Sequence, residues 1–310
     1  MTSATKLWAN GVSVPLTTPF KADDSIDTDA LATQVAERRL AVQVARKALD
    51  GAGFQDAPLL VGTGAGSAAT TIEVTKEAAT AGATHAIVIC PGYFAFAMGR
   101  DRAAIIAFFE QVMDASPIPV MIYNFPGAAA GIDLTSDELI KLAAHPNCFG
   151  AKLTCAMIGK GQRLAAYAQS DAYVAAHSQL KNVTVTGQFQ VLPGFSESLL
   201  PSLVARHTGC ITGTGNVFPK TIARLYEQSV KGLQGNAEAM AEALKLQDRV
   251  ARSDFIIVKA GIQGTKHALD VFVQPGLGGR ARLPLGPCSD EVKKMVETEL
   301  KEDWEFECSL

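Results

Sequence analysis

Apolar positions along this chain follow two periods. Short runs rich in β-branched residues fall at 12–16, 58–62, 86–90, 118–123, 148–152, 183–187 and 209–213. Each reads as a strand buried on both faces. Longer stretches of helical period follow most of them, at 67–82, 101–115, 135–144, 159–170, 194–206 and 219–232. Ser67 stands where it would cap the helix at 67–82, and Thr135-Ser-Asp-Glu138 has the spacing of a capping box. Strand-then-helix repetition predicts a parallel sheet with crossover helices. Beyond residue 233 the pattern turns wholly helical, at about 236–252, 255–270 and 290–303, with Pro275-Gly-Leu-Gly-Gly279 as a turn. The prediction is an α/β chain, with a barrel-like domain over 11–232 and a helical extension over 233–310.

One predicted helix breaks its own pattern. Asp29 to Asp50 contains no Gly or Pro and reads as a single long helix. Its apolar stripe runs through Leu31 and Val35, then Val42, Ala45 and Leu49. Arg38-Arg39 stand where the stripe should continue. Two helices joined out of phase would give this pattern. The seven strand runs are also one short of the eight that close a (β/α)8 barrel. The missing piece amounts to roughly one βα unit of such a barrel.

Composition narrows the partners. The 28 basic and 31 acidic residues nearly balance, so neither nucleic acid nor an anionic membrane is implied as a partner. Hydrophobic content is 48%, yet charged or polar residues interrupt every apolar stretch before it reaches the length of a membrane span. Residues 1–10 are too weakly patterned for a signal or transit peptide. The six cysteines are scattered without a Cys-x-x-Cys pair, and the five histidines lack partners at ligand spacing. The expectation is a reduced, cytoplasmic protein with no metal.

Candidate chemistry lies where two strands end. Pro119-Val-Met-Ile-Tyr123 runs into Asn124-Phe-Pro-Gly127, and Cys148-Phe-Gly-Ala-Lys152 runs into Leu153-Thr-Cys155. An unpaired ammonium at the end of an apolar strand is costly, and the same cost favours the neutral amine that condenses with a ketone. Tyr123 would bring a proton donor and acceptor close to that amine. Pro91-Gly-Tyr93, Gly62-Thr-Gly64, Gly187-Gln188 and Gly213-Thr-Gly-Asn216 are also placed at strand ends, the face where barrel enzymes carry their chemistry. Cys155, with no histidine beside it, reads as a small packed side chain. Lys160, Lys259 and Lys266 read as solvated.

With these residues in view, the chain resembles the dihydrodipicolinate synthase / N-acetylneuraminate lyase superfamily of Schiff-base aldolases. The resemblance runs from about Gly11 to Pro287. It is carried by Pro15-Leu-Thr-Thr-Pro-Phe20, Gly62-Thr-Gly-Ala-Gly-Ser67, Pro91-Gly-Tyr-Phe94, Tyr123-Asn-Phe-Pro126, Gly150-Ala-Lys152 and Gly213-Thr-Gly-Asn216. It implies a (β/α)8 TIM barrel with C-terminal helices, usually a homotetramer built as a dimer of dimers. It also implies cofactor-free chemistry on pyruvate or another small 2-oxo acid. Lys152 matches the imine-forming lysine and Tyr123 the proton-relay tyrosine. Tyr93 matches a tyrosine that, in many members, reaches the neighbouring subunit's site. Thr154 and Glu197 match positions that touch substrate hydroxyls in sugar-acid lyases, and Ile211 one whose carbonyl lines the pocket.

Two departures shape the expected function. Synthases of the family carry an arginine after Tyr-Asn-x-Pro for a second carboxylate, where this chain has Gly127-Ala-Ala-Ala130. The family's second strand ends in Gly-Thr-Thr-Gly-Glu, and this chain has no such motif. The first favours an aldolase cleaving a 2-keto-3-deoxy sugar acid or 4-hydroxy-2-oxoglutarate. Asn124-Phe-Pro-Gly127 and Lys152-Leu-Thr-Cys155 resemble fungal members that cleave 3-deoxy-hexulosonates. The second departure implies a barrel lacking its second βα unit and raises the alternative of an impaired or inactive member. A Schiff-base dehydratase or synthase is the third reading.

Overall fold

The computed structural model describes residues 6–16, 36–98 and 101–310. In chain order its elements are β1 (Gly11–Ser13), α1 (Ala36–Gly51), β2 (Leu60–Gly62), α2 (Ala68–Ala81), β3 (His85–Ile89), α3 (Ala95–Met98), α4 (Arg102–Ala115), β4 (Val120–Asn124), α5 (Ser136–Ala143), β5 (Cys148–Leu153), α6 (Ile158–Ala168), α7 (Asp171–Ala176), β6 (Gln190–Pro193), α8 (Leu199–Val204), β7 (Gly209–Ile211), α9 (Pro219–Leu233), α10 (Ala237–Ala268), α11 (Asp290–Glu299) and α12 (Lys301–Ser309). The chain is α/β with a C-terminal helical extension, as its periodicity predicts. It divides into two compact units.

The first unit comprises residues up to Asn10, Arg38–Leu192 and Ala205–Thr208. Its sheet has the order β2-β3-β4-β5-β6, and the registered pairs are parallel. The apolar strand runs and the inner faces of the helices meet in a core that includes Phe109, Phe149, Phe189, Met121, Ile122, Leu134 and Leu142. Helix starts follow the sequence signals. Ser67 accepts from the Thr70 N–H ahead of α2, and Thr135 with Glu138 closes a full capping box on α5. In α1, Val42 is buried and Ala45 and Leu49 are half-buried, as the second half of the predicted stripe requires. Leu31 and Val35 lie outside the described residues.

The second unit comprises Gly11–Glu37, Pro193–Val204 and Gly209–Leu310. β1 and β7 pair in parallel, Gly11 with Gly209 through Ser13 with Ile211. Helices α8 to α11 pack around Leu203, Cys210, Phe218, Leu225, Leu246, Val250, Ile257 and Val296. The helices predicted at 236–252 and 255–270 make up α10, two helical stretches that meet at the non-helical Gly261 (φ 67°, ψ −169°), so the break falls later than predicted, and a π-helical turn over Leu269–Val273 follows. The helix predicted at 290–303 is two, α11 and α12.

Three other expectations fail. The run at 183–187 is not a sheet strand, because Thr184 bridges Trp8, whose N–H and carbonyl bond to Val183 and Val185. The strand is β6 instead, so Gly187-Gln188 lie ahead of it rather than at its carboxyl end. Lys160 is not solvated but 4% exposed, paired with Asp133. Lys266, also buried, donates to the Gly278 carbonyl at 2.8 Å, while Asp270 accepts the Gly278 N–H, so the pair staples the turn after α10. Burial lowers the Lys266 amine to about 8.

Two buried histidines tie stability to pH. His85 packs between Trp8 and Phe149, and burial lowers it to about 4. His207 packs against Gly161 of α6 and is lowered by burial to about 4 as well. In the unfolded chain both imidazoles bind a proton near pH 6.5, whereas the folded ones resist it until about pH 4. Stability is therefore expected to fall as pH drops through that window, by up to about 1.4 kcal/mol per pH unit for each histidine. Urea midpoints measured between pH 7.5 and 5 check this, and a flat profile would contradict it.

Candidate active site

Strands β4 and β5 set Tyr123 beside Lys152 and Asn124 beside Leu153. That register depends on a bulge. Val120 pairs with Cys148 but Met121 pairs with Gly150, which leaves Phe149 as an extra residue in β5. A one-residue shift turns every later side chain to the other face of a strand, so the bulge brings Lys152 onto the side of Tyr123. Gly150 is needed beside it. A Cβ there would lie 2.8 Å from both the Cβ and the carbonyl oxygen of Gln190, and any side chain would force β6 away from β5.

Lys152 is 8% exposed, and its Nζ lies 4.3 Å from the centroid of the Tyr123 ring. Thr154 follows directly after β5, and its N–H donates to the Asn124 carbonyl at 2.9 Å. Its hydroxyl is buried and lies beside the Tyr123 phenol. Burial pushes the Tyr123 phenol up from its ordinary range, and the nearby Thr154 hydroxyl works in the other direction. A phenol that holds its proton beside an amine can give and take it during a reaction.

The strand ends are fastened from behind by groups the periodicity does not mark. Asn124 donates to Asp133 at 2.7 Å and accepts from the Leu134 N–H at 2.9 Å, so both ends of its amide are held. Asp133 also takes the ammonium of Lys160. Arg102 donates to the Asp133 carbonyl and binds Glu138 through two nitrogens, joining this cluster to the α5 capping box. Lys160 was legible only as a charge on a helix, because its partner sits in a loop far away in sequence.

The structure brings Lys152, Tyr123 and Thr154 together in the first unit. Tyr93 lies in the turn after β3, 82% exposed, with its ring edge-on to Phe94. Thr63 is fully buried and bonded to Thr75 at 2.8 Å, so the Gly62-Thr-Gly64 turn is partly structural. In the second unit, Ile211 ends β7 and is buried, while Glu197 is exposed in the turn Ser196–Ser198 after β6.

Comparison with known proteins decides the family. Residues 34–303 match the dihydrodipicolinate synthetase family. The chain belongs to that family. An L-threo-3-deoxy-hexylosonate aldolase of Hypocrea jecorina is 38% identical over 275 residues, covering 88% of this chain and 81% of the relative. A protein of Emericella nidulans named as a probable mitochondrial 4-hydroxy-2-oxoglutarate aldolase is 37% identical, covering 84% and 76%. A solved dihydrodipicolinate synthase family structure from Coccidioides immitis superposes with a TM-score of 0.78 at 29% identity, over the whole of both chains. The fold is thus the TIM barrel of this family, and both of these sequence relatives are named as aldolases. No helix among the described residues is long and apolar enough to cross a membrane.

Proposed function

We propose that the chain is a pyruvate-releasing class I aldolase acting on a 2-keto-3-deoxy sugar acid or 4-hydroxy-2-oxoglutarate. One observation carries this reading: a buried amine, Lys152, beside a half-buried phenol, Tyr123, on adjacent strand ends. The Lys152 amine adds to the C2 ketone, and Tyr123 gives its proton to the hydroxyl that leaves as water, so that an iminium and a phenolate form. Tyr123 takes the proton of the C4 hydroxyl, and the C3–C4 bonding pair moves into the iminium, giving an enamine and a free aldehyde. Return of the proton to C3 and hydrolysis of the imine release pyruvate and restore the amine. Thr154 and Glu197 are assigned to substrate hydroxyls, Ile211 to the pocket wall and Tyr93 to the proton relay. No step needs a metal or cofactor.

Relatives' names support the substrate class, and so does the alanine run where family synthases carry a cation. A homotetramer is inferred from the family, and the exposed aromatic cluster of Tyr93, Phe94 and Phe96 supports a contact between copies. All six cysteines are free, which suits the reducing cytoplasm we assign. We keep 11–232 as the barrel and 233–310 as the extension, and we infer that the barrel lacks its second βα unit. Three observations support that inference. Seven strands occur among the described residues, β2 ends the order of its sheet, and the family match begins at residue 34, just ahead of Arg38-Arg39.

Borohydride reduction in the presence of pyruvate tests the mechanism. It is expected to fix pyruvate covalently on Lys152, located by peptide mapping. An adduct on Lys160 instead, or on no lysine, would remove the Schiff-base assignment.

A further inference from the structure

The end of α10 carries a polar face that the chain roofs over. Gln263, Lys266, His267 and Asp270 follow one another at helical spacing, so they share one side of the helix. A face of this kind normally meets water. Here the segment 279–288 and the start of α11 close over it and leave a cavity of about 310 Å³. Cavities that hold small molecules begin at about that size. The roof is pinned where it begins. Gly278 comes so close to α10 that a Cβ there would lie 1.8 Å from the Lys266 carbonyl oxygen, and the Lys266 amine and Asp270 carboxylate bond to the Gly278 carbonyl and N–H. The whole cavity belongs to the second unit and shares no residue with the Lys152 and Tyr123 site.

Basic groups reach the cavity from three places: Lys266 and His267 from α10, Arg280 from the roof and Lys293 from α11. One acid, Asp270, lines it with them. The Gly278 carbonyl that holds the Lys266 amine brings it no negative charge. Burial lowers that amine to about 8, and the charge of Asp270, acting the other way, is the smaller effect. Two acids outside the lining meet the other cations, Asp290 with Lys293 at 2.7 Å and Glu297 with His267 at 2.8 Å. Both acids are exposed, where such pairs are weak and screened. An anion inside would meet the Lys266 ammonium away from water, where the attraction is stronger. Arg280 adds a planar fork that can grip two oxygens of a carboxylate or phosphate at once. Leu285 and Pro287 supply apolar wall, so a short carbon skeleton fits beside the charge.

We propose that this cavity is a binding site for a small organic dianion, a phosphate monoester or a dicarboxylate, held by Lys266 within, Arg280 at the mouth and Lys293 from α11. The proposal does not rest on the aldolase reading. It gives the helical extension a ligand of its own.

Titration calorimetry on the full chain at constant ionic strength tests this, with sulfate as the tetrahedral probe and malonate as the dicarboxylate probe. At least one is expected to bind at a single site with a Kd of about 1 mM or tighter. Preference for sulfate points to phosphate monoesters, and preference for malonate to dicarboxylates. Arg280→Gln changes an exposed side chain, so the variant should fold, and it should weaken binding by about tenfold. Lys293→Gln should weaken it by about threefold. Lys152→Met should bind as the unsubstituted chain does, which separates this cavity from the Lys152 site. Sulfate keeps its charge throughout, so protons taken up on binding, read from the heats in buffers of different ionisation enthalpy, go to the protein. Uptake should be larger at about pH 8.5 than at about pH 7, because Lys266 is then the group drawn back to its ammonium form, whereas His267 would give the opposite trend. No binding of either probe, binding that the Arg280 and Lys293 substitutions leave unchanged, binding lost in Lys152→Met, or no proton uptake at about pH 8.5 would overturn the proposal.

Discussion

Lys152→Met is expected to lower turnover by on the order of 10⁴-fold or more while leaving the fold intact. Methionine matches the volume and reach of the lysine stem but cannot form an imine, so the C3–C4 bond has no electron sink. The fold should tolerate the change because it removes an amine that is 8% exposed and adds a thioether in its place. The expected pattern is a folded chain, no borohydride-trapped pyruvate, and turnover near background. Retention of more than about a hundredth of the starting kcat would be a loss of under 3 kcal/mol, too small for the covalent step, and would sink the assignment.

The pairing behind that expectation was legible because it needs only two facts visible in the sequence. Both strand runs are wholly apolar up to their last residue, and both last residues are chemically active. The runs at 118–123 and 148–152 therefore fall within about two residues of β4 and β5. The bulge at Phe149 was not legible, since Cys148-Phe-Gly150 carries no mark of an extra residue and Gly150 is explained only by the nearness of Gln190. β6 was missed for a different reason. Gln190 and Pro193 interrupt its apolar run, whereas Val183-Thr-Val-Thr186 has the β-branched content of a strand but pairs with Trp8. Local propensity was outweighed by a tertiary partner nearly the length of the first unit away in sequence. Lys160 and Lys266 were misread alike, because a lysine's usual place is solvent and only the fold shows Asp133 and the Gly278 carbonyl waiting for them.

Restoring the family's second strand, with its Gly-Thr-Thr-Gly-Glu turn, between about Val35 and Glu37 is expected to raise turnover by about 10²–10³-fold and to improve solubility. The junction itself lies at the limit of the described residues. Two physical effects act together. A barrel short of one unit leaves a strand edge unpaired, and unpaired backbone groups beside apolar core invite edge-to-edge association. In this chain β2 ends its sheet order, and it is the strand that would gain the neighbour. The restored turn would also supply hydroxyl and N–H donors to the substrate carboxylate. Removing a single preorganised donor costs about 10²–10³ in rate in measured cases. The out-of-phase stripe marks where to insert: Val42, Ala45 and Leu49 face inward in α1, and Arg39 is exposed where an uninterrupted stripe would carry an apolar residue. Soluble yield, size-exclusion profile and kcat/KM of the two forms, measured side by side, decide the matter. A 310-residue chain that already forms a stable tetramer with ordinary aldolase activity, and that gains nothing from the insertion, would show that the carboxylate is held by other groups and that the barrel closes without the unit.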